Sequence, residues 1–191
     1  MKPVRREEIL DLPAYERSRA EIRAAILEAK RPRRVHVAGV LTFLFENTAT
    51  MRYQVQEMVR AERMTGEAEI RHELETYNEL LGGPGELGCS LLIEIPDPAE
   101  RDRRLREWLD LPAHLYVRVE DGEKVYARFD PRQVGTDRLS SVQYLKFDVG
   151  GRKPVAVGSV LPALEAETVL DPEQRAALAQ DLAADAPPRA G

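Results

Sequence analysis

Between Phe45 and Arg63 the chain reads FENTATMRYQVQEMVRAER, the densest gathering of phenol, carboxylate, guanidinium and amide groups in the sequence. On a helix, Tyr53, Glu57 and Arg60 fall on one face at i, i+4 and i+7. Such a trio is able to bind an anion or to move a proton. The plainer reading of the same spacing is a solvated helix face carrying an intrahelical ion pair. Glu62 continues the apolar stripe of Val55 and Met58 and is therefore expected to point at the core. A carboxylate there needs a partner or shifts its pKa upward, so Glu62 is either half of a core salt bridge or a functional group.

Gln143 shares strand parity with Leu145, Phe147 and Val149, which places an amide on the inward face, where it meets Glu62, a ligand, or only backbone groups. Glu69-Ile70-Arg71-His72 has the Glu-x-x-His spacing that aims two ligands at one metal. A di-iron bundle needs two such motifs, and with only three histidines, His36, His72 and His114, the chain has one. No metal site is expected on that count, although His72, Glu69 and Glu73 would have to support any iron or haem handling. The single cysteine, Cys89, is a core hydrophobe or, less plainly, a nucleophile beside one of the histidines. No hydrolase elbow, phosphate-binding loop, dinucleotide fingerprint or zincin motif occurs.

These residues need elements to position them. Asp11 and Pro13 start a helix carrying Tyr15, Ile22, Ile26 and Ala29 up to Lys30. RVHV and VLTFLFE around Ala38-Gly39 read as a hairpin. Helical periodicity resumes at Thr48 and again from Glu67, burying Ile70, Leu74, Tyr77 and Leu81, before the Gly82-Gly83-Pro84-Gly85 loop. SLLIEI is a strand, and Asp97-Pro98-Ala99-Glu100 opens a helix with Leu105, Trp108 and Leu109 on its apolar side. Leu115 to Val119 and Val125 to Phe129 form a hairpin through Asp121-Gly122. Residues 140–149, 154–160 and 164–170 complete a mostly antiparallel sheet, and Asp171-Pro172-Glu173 opens a last helix ending near Leu182. The expected fold is α+β: one domain over 1–183, with N-terminal helices and a hairpin packed on that sheet, and a mobile tail over 184–191.

Composition narrows the function classes. A net charge of −5 argues against a nucleic-acid backbone as partner. The basic run Lys30, Arg31, Arg33 and Arg34 follows a helix end, where cations complement the helix dipole. The first residues, MKPVRREEIL, lack the apolar core of a secretory signal, and Val35 to Phe45 is too short to span a bilayer. One cysteine excludes an intrachain disulfide framework. The expected setting is the cytoplasm, with no membrane partner.

The stretches LFENTATMRYQVQEMVRAER, ELETYNELL and SSVQYLKF carry a resemblance over nearly the whole chain: the sequence is similar to the bacterial domain-of-unknown-function family three-five-zero-one. The resemblance places Gln54, Gln56, Glu57, Arg60, Glu62, Tyr77 and Asn78 on the family's motif, without roles. Genes of that family often adjoin genes for rubrerythrin-like proteins and iron–sulfur oxidoreductases, which implies a place in redox or peroxide-stress metabolism. Relatives tend to carry histidine where this chain has Gln143 and Leu161, which puts any metal-dependent activity of the family in doubt here. The leading expectation is an accessory or ligand-binding protein of a redox system, with a rubrerythrin-like or iron–sulfur partner and with Gln54, Gln56, Tyr77, Asn78 and Gln143 toward a ligand. The alternatives are a small enzyme in which Glu57 or Glu62 does acid–base work on a small anionic substrate beside Tyr53 and Arg60, and iron or haem handling. No cofactor is specified by the sequence.

Overall fold

The structure, a computed structural model, describes residues 1–184; apart from residue 184, the tail expected over 184–191 lies outside the described residues. An N-terminal arm leads into α1 (Leu12–Lys30), where Asp11 accepts a hydrogen bond from the Ala14 N–H at 2.7 Å. β1 (Arg34–Val37) and β2 (Leu41–Glu46) pair as a hairpin. Its turn holds Ala38 and Gly39 at φ 53° and 69°, and the conformation disfavours the Cβ of Ala38. Asn47 then caps α2 (Thr48–Ala61), and α3 (Glu67–Asn78) follows.

The second half contributes β3 (Glu86–Ile93), α4 (Pro98–Glu107), the single turn α5 (Leu111–His114), β4 (Leu115–Val119) and β5 (Lys124–Tyr126). It ends with β6 (Val142–Asp148), β7 (Pro154–Ser159), β8 (Ala166–Val169) and α6 (Pro172–Ala183). At α4 and α6 an Asp cap followed by Pro in the first turn repeats the start of α1.

The chain has the expected α+β fold, but the strands form two antiparallel sheets, ordered β1-β2-β3-β6 and β5-β4-β7-β8. Alternation decides what lies between them. Phe45, Cys89 and Leu145 align across the first sheet, as do Phe43, Leu91 and Gln143. All six side chains are buried, and Phe43, Phe45 and Phe147 lie with ring centroids 6.4 Å apart. Leu115, Val117 and Val119 of β4 and Val157 of β7 face them from the second sheet.

The two sheets also meet at both edges. Beyond β5, Arg128 and Lys146 exchange both backbone hydrogen bonds at 2.8 Å. On the far side Thr168 Oγ1 donates to the His36 carbonyl at 2.8 Å. Eight strands thus close around one core.

A second, smaller core lies outside the first sheet. Met51, Val55 and Val59 of α2 pack there with Ile70 and Leu74 of α3 and with Val4 and Ile9 of the arm. Two amide side chains hold the arm through its backbone. Gln56 accepts from Leu10 N–H at 2.8 Å and donates to Leu10 C=O at 3.1 Å. Asn78 accepts from Val4 N–H at 2.7 Å and donates to Val4 C=O at 3.0 Å. Among the described residues no helix is long and apolar enough to cross a membrane.

Candidate functional site

The helical face that groups Tyr53, Glu57 and Arg60 turns toward α1, where each residue takes a separate partner. Glu57 accepts two hydrogen bonds from the Arg19 guanidinium, both at 2.8 Å, and one from the Tyr15 hydroxyl at 2.5 Å. Arg60 pairs with Glu16 at 2.8 Å, and Lys30 lies over the Tyr53 ring. In place of either a convergence on one ligand or an ion pair within the helix there are three ties between two helices, because the facing helix supplies complementary charge that spacing within α2 cannot reveal. The Arg19 hydrogen bonds, helped by Tyr15, hold the Glu57 carboxyl at about 2. Burial and the Glu57 carboxylate push the Tyr15 phenol up.

Glu62 departs from expectation more sharply. α2 stops at Ala61, Glu62 is its C-cap at φ −92° and ψ 0°, and Arg63 turns left-handed at φ 52°. The periodicity that aligned Glu62 with Val55 and Met58 holds only while the helix continues, so the side chain is exposed rather than core-facing. It does not meet Gln143, which is fully buried between the sheets and donates to Ser140 C=O at 3.0 Å. Gln56 and Asn78 are committed to the arm, and Gln54 is half-buried on α2.

His72, Glu69 and Glu73 do not assemble, and among the described residues no group of three His, Cys, Asp or Glu is placed to hold a metal ion. Cys89 is buried in the main core, which pushes its thiol up. In the basic run, Arg31 pairs with Glu173, while Arg33 forms a buried two-point pair with Asp181 at 2.6 and 2.9 Å.

A different set of side chains comes together at the seam of the sheets. Because Arg128 and Lys146 are a hydrogen-bonded cross-strand pair, their cationic side chains start side by side, an arrangement that like-charge repulsion disfavours. Glu86 is the counter-charge, 3.6 Å from the Arg128 guanidinium and 4.0 Å from the Lys146 ammonium. Both separations exceed a hydrogen bond, while the carboxylate accepts from Gly83 N–H at 3.0 Å.

The pair opens on a cleft of about 370 Å³, within the range of small-molecule sites. Leu80 and Phe129 give it apolar walls, Tyr144 stands on one side, and Glu79 and Asp130 lie at its edges. Asp130 is already held by Arg132 at 2.5 to 3.1 Å. Gln133 fixes the wall by pairing both backbone groups of Tyr144, at 2.7 and 2.9 Å. Burial, with the nearby Tyr77 and Glu46, pushes the Tyr144 phenol up, so it is a neutral donor at pH 7. A guanidinium, an ammonium and a phenolic O–H beside an apolar wall form a donor set for an acid group attached to an apolar body.

A smaller cleft of about 180 Å³ lies between the arm, α1 and α2, and brings Tyr53 and Gln56 beside Tyr15 and Arg52. Its remaining walls, Leu10, Ile22 and Ile26, are apolar, and Arg52 is within 3.4 Å of Glu8.

Residues 3–182 match the family model described as "Protein of unknown function (DUF3501)". The chain belongs to the DUF3501 family. It is similar to a novel protein of unknown function from Burkholderia pseudomallei, known from a crystal structure. The two share 28% identity at a TM-score of 0.86, covering 95% of this chain and all of the other. No curated protein matches the sequence.

In this DUF3501 member, Arg128, Lys146 and Tyr144 were not readable as a site from sequence. They lie on either side of a long connection, and only the joining of the sheets makes Arg128 and Lys146 neighbours. Tyr77 is the one motif residue that reaches this region, through its influence on Tyr144.

Proposed function

We propose that this protein is a cytoplasmic, non-catalytic ligand-binding accessory of a bacterial redox or peroxide-stress system, and that its ligand is a small organic acid held in the seam cleft. The observation that carries the ligand reading is the forced pairing of Arg128 and Lys146 at the mouth of that cleft, where among the described residues only Glu86 pairs with them, at 3.6 and 4.0 Å. An anion placed there relieves the repulsion of two adjacent cations and accepts hydrogen bonds from both and from Tyr144. The redox setting, and a rubrerythrin-like or iron–sulfur partner, rest on the gene neighbourhood that the family resemblance implies.

The acid–base enzyme reading gains nothing from the geometry. Glu57 is an ionised carboxylate locked by Arg19, a poor proton acceptor at neutral pH, and Glu62 is an exposed helix cap.

The test is thermal melting with a panel of acids: acetate, pentanoate, benzoate and phosphate. A ligand that binds only the folded state raises the melting temperature as its concentration passes Kd. At least one organic acid should raise it, and Arg128→Met/Lys146→Met should abolish the effect. No shift with any acid would remove the ligand reading. A pull-down from native cytosol that captures no rubrerythrin-like or iron–sulfur protein would remove the accessory reading.

A further inference from the structure

On the same outer face of the first sheet as Tyr144 and Lys146, one carboxylate oxygen has no hydrogen-bond partner among the described residues. Glu46, at the end of β2, is only 3% exposed. Its Oε1 accepts from the Ser90 hydroxyl at 2.8 Å, while Oε2 is buried without a hydrogen bond. A buried carboxylate left half-satisfied is costly, and no basic side chain lies within ion-pairing distance of it among the described residues. That oxygen is open to a donor from water or from a ligand group.

We propose that Glu46 selects the ligand of the seam cleft, which therefore takes a short zwitterion: an acid group held by Arg128 and Lys146, and an ammonium group received by Glu46 Oε2. This rests on the cleft reading. Glu46 and Lys146 flank Gly88 in one row across the outer face of the first sheet, so their backbones stand two strand spacings, about 10 Å, apart. The direct path over Gly88 is closed, because even a Cβ there would lie 2.1 Å from the Leu80 carbonyl oxygen. The route runs instead through the next row, where Ser90 lies directly opposite Tyr144. Tyr144 lines the cleft and is 42% exposed, and a zwitterion reaches Glu46 once this ring turns about χ1 to uncover Ser90 and Glu46, leaving the acid group to Arg128 and Lys146. The Glu46 charge is felt at the Tyr144 phenol, which places the two groups in one electrostatic neighbourhood. Charge at both ends, rather than acidity alone, would then set specificity.

The experiment compares 5-aminopentanoate with pentanoate, followed at the backbone amides of Tyr144 and Lys146 by NMR titration of the full chain. The expected result is about tenfold tighter binding of 5-aminopentanoate, the size of one charge-assisted hydrogen bond in a sheltered site, with the ratio falling toward one in Glu46→Gln. Equal affinity of the two acids for the wild-type chain would overturn the role of Glu46 and leave the cleft reading standing. A preference that survives in Glu46→Gln would overturn it as well. Binding of neither acid would count against the cleft itself, and this inference falls with it. The wild-type ratio decides the matter even if Glu46→Gln does not fold.

Discussion

Arg128 and Lys146 exchange both backbone hydrogen bonds at 2.8 Å across the seam of the two sheets, and this register fixes two cations side by side at the mouth of a cleft. Neither side chain chooses its neighbour; the strand pairing does. Glu86 offsets part of the repulsion from 3.6 and 4.0 Å. What remains is a pair of neighbouring donors whose best additional partner is an anion, with Tyr144 and apolar walls to receive the body that carries it.

Glu57 makes stability pH-dependent. In the fold its carboxyl sits at about 2 against an ordinary 4.5, chiefly through Arg19. A group depressed in this way stabilises the fold fully above its unfolded pKa, and the contribution fades as pH falls from about 4.5 toward 2. With 22% of the side chain exposed, solvent screening reduces the contribution to about 1–2 kcal/mol. Denaturant titration should show Glu57→Gln less stable than wild type by that amount at pH 7, with the gap narrowing at pH 3. A gap that is unchanged or wider at pH 3 contradicts the assignment.

Gln56 and Asn78 should act on the arm alone. Each amide satisfies both backbone groups of one arm residue, so Gln56→Ala leaves Leu10 N–H and C=O without that partner, at a cost of about 1–3 kcal/mol. Hydrogen exchange should accelerate at Leu10 in Gln56→Ala and at Val4 in Asn78→Ala, while amides of β2 and β3 keep their protection. Equal acceleration throughout the sheets would mean that the arm is not a separate unit.

Asp181 should be the most sensitive single charge. It is only 7% exposed and meets Arg33 through two hydrogen bonds and Asn47 through a third. Asp181→Ala strands a buried guanidinium and should cost about 3–5 kcal/mol, whereas Arg33→Met/Asp181→Leu should recover most of that loss. Chemical denaturation of the two variants checks this, and a double variant no more stable than Asp181→Ala would contradict it.

Local signals carried much of the fold. Asp-Pro starts marked α4 and α6, and Gly-containing turns marked the hairpins at Ala38-Gly39 and Asp121-Gly122. The division of the strands into two sheets was not legible, since alternation states which face is buried and not which strand is the neighbour. The same limit hid the site. Tyr53, Glu57 and Arg60 shared a helix face as read, but Arg19, Tyr15 and Glu16 lie far away in sequence and no spacing rule connects them to α2. Glu62 was misplaced because one residue of helix length separates a core position from an exposed cap. Glu46 lies in a run, LTFLFE, whose six residues are all buried, so alternation there did not single out a half-satisfied carboxylate.

The most direct test of the cleft is an NMR titration of the wild-type chain with pentanoate and benzoate, repeated with Lys146→Met and Arg128→Met. The account predicts saturable shifts concentrated at Arg128, Phe129, Tyr144 and Lys146, and affinity reduced about tenfold by either substitution. Saturable shifts centred instead on Arg52 and Tyr53, or no saturable shift with either acid, would contradict it.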